Sequence, residues 1–113
     1  MRNYIKKIVE SVKQFLGLGY YRLAATNSDE PSVVKDNTVY VIGENGFVWY
    51  LMLRCPCGCR EVIKLNTQED TYPSWQLSSR SQLCSVTPSI WRIKGCKSHF
   101  SIKNGKILWH LDR

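Results

Sequence analysis

Three cysteines fall within five residues, Cys55-Pro56-Cys57-Gly58-Cys59, and a fourth opens the distant motif Cys96-Lys97-Ser98-His99. Thiolates crowded on a tight turn, joined by a remote Cys-x-x-His, have the composition of a zinc site closed by two segments. This is a strong constraint on the fold, because the chain between the two segments must return so that they meet. Pro56 and Gly58 suit such a knuckle. Successive sulfurs have to turn toward one ion, and glycine admits the positive φ that a turn of this kind often needs.

Zinc takes four tetrahedral ligands. Five candidates compete for the places: Cys55, Cys57, Cys59, Cys96 and His99. In one solution the four cysteines bind a structural zinc ion and His99 is released. In the other, Cys96 and His99 join two of the three clustered cysteines. Spacing alone leaves both open. A catalytic zinc would need a general base, for which Glu61 is nearest in sequence, but thiolate-rich sites are structural as a rule. An iron–sulfur cluster normally takes four thiolates and is a further option. Cys84 stands apart and reads as a small buried hydrophobe.

The remaining composition narrows the class. At 113 residues the chain fits a single domain, 1–113, whose modest core a metal ion would supplement. Four Trp, six Tyr and a 43% apolar content argue against disorder. The net charge of +7 suits nucleic acid, an anionic membrane surface or an acidic protein, and chooses none of them. Five cysteines is an odd number for a secreted disulfide scaffold. Lys6, Lys7, Glu10 and Lys13 interrupt the first stretch, so no signal peptide is evident. No run approaches the roughly 20 apolar residues of a membrane span. The expectation is a reduced, cytoplasmic protein without a transmembrane segment.

Periodicity then divides the chain. Tyr4, Ile5, Ile8, Val9, Val12, Phe15 and Leu16 recur at helical spacing, so residues 1–19 are expected to form an amphipathic helix that stops at Gly17 and Gly19. Residues 26–37 are polar and read as a loop. From Thr38 the period changes to that of strands. Runs at 38–42 and 47–53 flank Asn45-Gly46, and 61–65 follows the cysteine turn. Short strands at 75–78 and 85–87 are joined by a polar turn, and 100–103 and 107–109 flank Asn104-Gly105. The fold class expected is mainly β with an N-terminal α-helix: a small antiparallel, zinc-ribbon-like sheet domain whose β/zinc core spans 38–110.

Several of these residues occur together elsewhere. Cys55-Pro-Cys-Gly-Cys-Arg, Pro73-Ser74-Trp75, Thr87-Pro88-Ser89-Ile90, Cys96-Lys-Ser-His99-Phe100, and Asn104-Gly105 with Trp109 follow one another in this order. Over residues 38–110 the chain thereby resembles a bacterial family of small proteins labelled a domain of unknown function. Members of that family are found in operons beside ubiquitin-like, E1-like and E2-like proteins. The helix at 1–19 lies outside the resemblance.

The resemblance implies a task in a ubiquitin-like modification pathway: a peptidase that trims the ubiquitin-like precursor or removes the modifier from a target. Its partners would be the ubiquitin-like protein and the E1-like or E2-like proteins. Amide hydrolysis without a catalytic metal needs a nucleophile and a base. His99 and His110 are the only histidines. If four cysteines hold the zinc, His99 is available as base and Ser89, on a Pro88-Ser89-Ile90 turn, as nucleophile. Ser98 is a weaker nucleophile, because neighbours along a strand point to opposite faces. A clustered cysteine beside Arg54 or Arg60 is another option. Two non-enzymatic readings stand against these. One is a zinc-stabilised binding module or adaptor for the same partners, anchored by Trp49, Trp75 or Trp91. The other is a zinc ribbon binding nucleic acid through Arg92, Lys94, Lys97, Lys103 and Lys106, although no stacking or finger signature accompanies that cluster.

Overall fold

The structure, a computed structural model, describes residues 20–24 and 27–110. The helix expected at 1–19 lies outside them. Eight strands follow in chain order: β1 (Arg22–Leu23), β2 (Thr38–Glu44), β3 (Phe47–Arg54), β4 (Val62–Asn66), β5 (Gln76–Arg80), β6 (Leu83–Trp91), β7 (His99–Lys103) and β8 (Lys106–Trp109). They form one sheet in the order β4-β3-β2-β1-β6-β7-β8, with β5 on the other edge of β6.

Local chemistry sets most of this register. Asn45-Gly46 and Asn104-Gly105 are two-residue turns in which all four residues take positive φ, the conformation that matches strand twist. Ser81-Gln82 makes the same kind of turn without glycine, at φ 52° and 68°. For that reason β5 and β6 are longer than the polar composition around them suggests. One pairing departs from the antiparallel expectation: β1 runs parallel to β2, while its other side meets the start of β6 antiparallel. This two-residue strand joins the β2–β3–β4 meander to the β5–β8 unit.

Alternation delivers one apolar face from each side to a shared core. Val39 and Val41, Leu51 and Leu53, Ile63 and Leu65 pack in the same buried cluster as Cys84, Val86, Ile90, Phe100, Ile102 and Ile107. Cys55 and Cys57 belong to that cluster too, so the cysteine knuckle is built into the core's margin. Tyr21 fixes the knuckle's approach, donating its hydroxyl hydrogen to the Arg54 carbonyl at 2.7 Å. On the opposite face of β2 and β3, Ile42 and Met52 pack with Val34.

Gly43 sits where β3 carries one extra residue against β2. A Cβ there would lie 1.9 Å from the Phe47 carbonyl oxygen, a main-chain atom that cannot swing aside. Gly43→Ala is expected to destabilise the protein by about 3 kcal/mol, read as a lower midpoint in chemical or thermal denaturation. An unchanged midpoint would contradict the close approach.

The β6–β7 register holds the feature that matters most for the site. Val86 pairs with Ile102 and Ile90 with Phe100, so Thr87, Pro88 and Ser89 stand opposite the single residue Ser101. Pro88 has no N–H to give to a ladder, which suits it to such an interruption. The result is a wide bulge with Ser89 at its end.

Candidate active site and metal centre

Ser89 leaves the bulge with its Oγ 2.8 Å from Nε2 of His99. The indole Nε1 of Trp75 donates to the Ser89 carbonyl at 3.2 Å and holds the main chain behind it. Both Ser89 and His99 are half-buried, open to solvent on one side. In the tautomer with its proton on Nδ1, the imidazole accepts the serine hydroxyl hydrogen, which is the arrangement a general base needs.

The His99 ring is flanked by two others. Trp91 faces it across the β6–β7 ladder, the rings stacked at 4.9 Å and 9°. From the β8 side His110 packs at 4.5 Å and 39°, with its main-chain N–H on the His99 carbonyl at 2.9 Å. His110 Nε2 in turn lies 2.7 Å from Ser101 Oγ, a second serine–histidine contact within the same patch. The sequence alone assigned no role to His110 or to Ser101. Strand alternation on β7 and β8 was the signal that could have joined them.

The cysteines lie at the end of the sheet. Cys55, Cys57 and Cys59 follow β3 on a turn with positive φ at Gly58 and Arg60, closed by a bond from the Cys55 N–H to the Glu61 carbonyl at 2.9 Å. Cys96 comes from the β6–β7 connection, between Gly95 and Lys97, both at positive φ. The four sulfurs lie within 4.8 Å of one another. Cys55 Sγ is 3.5 Å from Cys57 Sγ and 3.6 Å from Cys96 Sγ. Four thiolates on one ion with bonds near 2.3 Å would stand about 3.8 Å apart, so this set could hold a tetrahedral metal ion. His99 is not in the group; its Nε2 is directed at Ser89. Of the two ligand sets read from the sequence, the four-cysteine set is the one brought together.

Burial raises the Cys55 and Cys57 thiols, so thiolates there call for a cation. At Cys96 burial acts upward as well, but Ser98 and the neighbouring thiols outweigh it, and the pKa falls to about 7. Ser98 is fully buried on the sulfur side while His99 faces out, so strand alternation separates these neighbours. Cys84 lies away from the cluster, buried, its thiol pushed up to about 11 by burial.

A second tie crosses the same end. Glu61, just after the knuckle, pairs with Arg92, just after β6, at 2.6 Å. The carboxylate weighed as a base for a catalytic metal is therefore engaged by a guanidinium, and Arg92 is drawn out of the basic cluster. Lys94, Lys97, Lys103 and Lys106 remain exposed. Among the described residues, no helix is long and apolar enough to cross a membrane.

Residues 26–110 match the sequence model of a family described as bacterial ubiquitination-like system serine protease (BubE). The chain belongs to that family. No curated protein and no solved structure matches it. The BubE match takes in the polar segment 26–37, which the shared motifs had left out. The family's description supplies two things that spacing could not: a serine as the reacting residue and a ubiquitination-like system as the setting.

Proposed function

We propose that this chain is a serine peptidase acting on the ubiquitin-like protein of its system, with Ser89 as nucleophile and His99 as base. The observation that carries the reading is the 2.8 Å contact between Ser89 Oγ and His99 Nε2 at an open bulge. As Oγ attacks the substrate carbonyl carbon, Nε2 takes its proton and passes it to the departing amine, leaving an acyl-enzyme. Water then enters, His99 takes a proton from it, the ester breaks, and the proton returns to Ser89. Trp91 and His110, packed around the imidazole, restrict its rotation, so the nitrogen stays in line with the hydroxyl.

In this reading Cys55, Cys57, Cys59 and Cys96 hold a structural zinc ion. When bound, the ion supplies a cross-link and no step of the reaction. Cys96 lies three residues before His99, so the cross-link would anchor the turn that feeds the base into β7. Residues 1–113 act as one zinc-stabilised unit, with 38–110 as its β/zinc core, in a reduced cytoplasmic setting where thiols stay available to metal.

The test is incubation of the full chain with the system's ubiquitin-like protein carrying a C-terminal extension, followed by intact mass. Loss of the extension is expected. An unchanged mass together with a stable complex would instead favour the non-catalytic binding module. Exposed Trp49 and Trp91 give that alternative its basis.

A further inference from the structure

Ladder alternation reveals a main-chain edge beside the nucleophile. The Arg92 N–H donates to the Ser98 carbonyl at 2.7 Å, and the His110 N–H donates to the His99 carbonyl at 2.9 Å. The pairs Arg92–Ser98 and Ile90–Phe100 therefore carry the β6–β7 hydrogen bonds, and the Trp91–His99 pair between them carries none. The N–H and C=O of Trp91 must then point away from β7. On that side β5 accompanies β6 only as far as the Gln76–Thr87 pair. Next comes the Trp75 indole on the Ser89 carbonyl. From Trp91 onward no strand lies alongside among the described residues. Trp91 is 58% exposed and Ile93, two residues on, is 77% exposed.

We infer that this edge of β6 is the substrate groove: an extended polypeptide segment with apolar side chains pairs through its main chain with Trp91, which sets its scissile carbonyl beside Ser89. The inference rests on the Ser89–His99 reading and adds how the substrate is held. A neighbouring strand lies about 4.8 Å away and advances about 3.3 Å per residue. A segment bonded at Trp91 thus brings the carbonyl two residues along next to Ser89. Pairing cannot continue past that point, because the Trp75 indole and then β5 occupy the edge. One side of the scissile bond is held in register and the other leaves the sheet, which suits a flexible terminal tail and excludes a folded segment. The Trp91 and Ile93 side chains offer apolar surface to alternate residues of such a tail.

The test compares two serine-directed reagents on the full chain, with labelling of Ser89 followed by peptide mass mapping. One is an alkyl fluorophosphonate with no peptide. The other is an acetyl-tripeptide phosphonate built from Ala and Leu, made also with a single N-methyl group at each amide in turn. The peptide reagent is expected to label Ser89 about tenfold faster than its form methylated at the amide facing Trp91, and the adjacent amide, which faces away, should tolerate methylation within about twofold. Equal effects at adjacent amides, or no effect at any, overturn the groove while alkyl labelling of Ser89 keeps the serine reading intact. If neither reagent labels Ser89, the serine reading itself falls and takes the groove with it.

Discussion

Ser89→Ala is expected to lower cleavage of the ubiquitin-like precursor by roughly three orders of magnitude or more, the scale set by losing a nucleophile that works as a unit with its base. Stability should barely move. Ser89 is half-buried at the end of a bulge, and the hydroxyl lost leaves a site open to solvent rather than a sealed cavity. The informative control is Ser101→Ala. Ser101 also touches a histidine, at 2.7 Å, but it belongs to the unbulged strand: it faces the interruption in β6 and keeps its regular pairing with Leu108 of β8, whereas Ser89 is itself one of the extra residues. Cleavage should survive in that variant within about tenfold, the cost of loosening a neighbouring ring. If Ser89→Ala retains full cleavage and Ser101→Ala abolishes it, the reactive pair is Ser101–His110. If both retain it, neither serine attacks the substrate.

Cys57→Ser, or prolonged exposure to a strong zinc chelator, is expected to cost the folded state itself. Cys57 has no exposed surface and belongs to the core cluster, so its sulfur cannot be replaced by water without opening that core. Structural zinc sites contribute their binding free energy to folding, on the order of 10 kcal/mol, as much as a domain of this size has in total. The Glu61–Arg92 pair spans the same end, but Glu61 is half exposed, and a pair of that kind is worth about 1 kcal/mol at most. Native mass spectrometry should find one zinc ion per chain, retained in His99→Ala and absent in Cys57→Ser. Near-ultraviolet circular dichroism should collapse with the ion. A chelated protein with an unchanged spectrum and midpoint would show that the thiols pack without a structural metal.

How legible was this in the sequence? The Asn-Gly turns, the hydrophobic runs and the cysteine knuckle are local signals, and each located its strands to within a residue or two. The knuckle also announced its partner, because Cys96 carries the only other cysteine in a turn-like context. What stayed hidden depends on pairing across the chain. Arg22–Leu23 is too short to show a period, so the parallel β1–β2 contact had no trace. Ser81-Gln82 adopts a turn usually marked by glycine, which concealed the length of β5 and β6. The ring cluster of Trp91, His99 and His110 exists only once β6, β7 and β8 are in register. Ser89 with His99 could be named from the resemblance, but the reason they meet is a register interruption, and no single segment reports a register.

That interruption has a practical meaning for engineering and for descent. Thr87, Pro88 and Ser89 fill a span that one residue would fill in an unbroken ladder. Shortening β6 by two residues there would restore continuous pairing while removing the Ser89 hydroxyl, with the core side chains on either side keeping their inward phase. If Ser89 is the nucleophile, the chemistry is carried by a removable insertion in an otherwise complete scaffold. On the Ser89–His99 reading, a version of this protein that keeps its sheet but has lost its nucleophile lies one short deletion away.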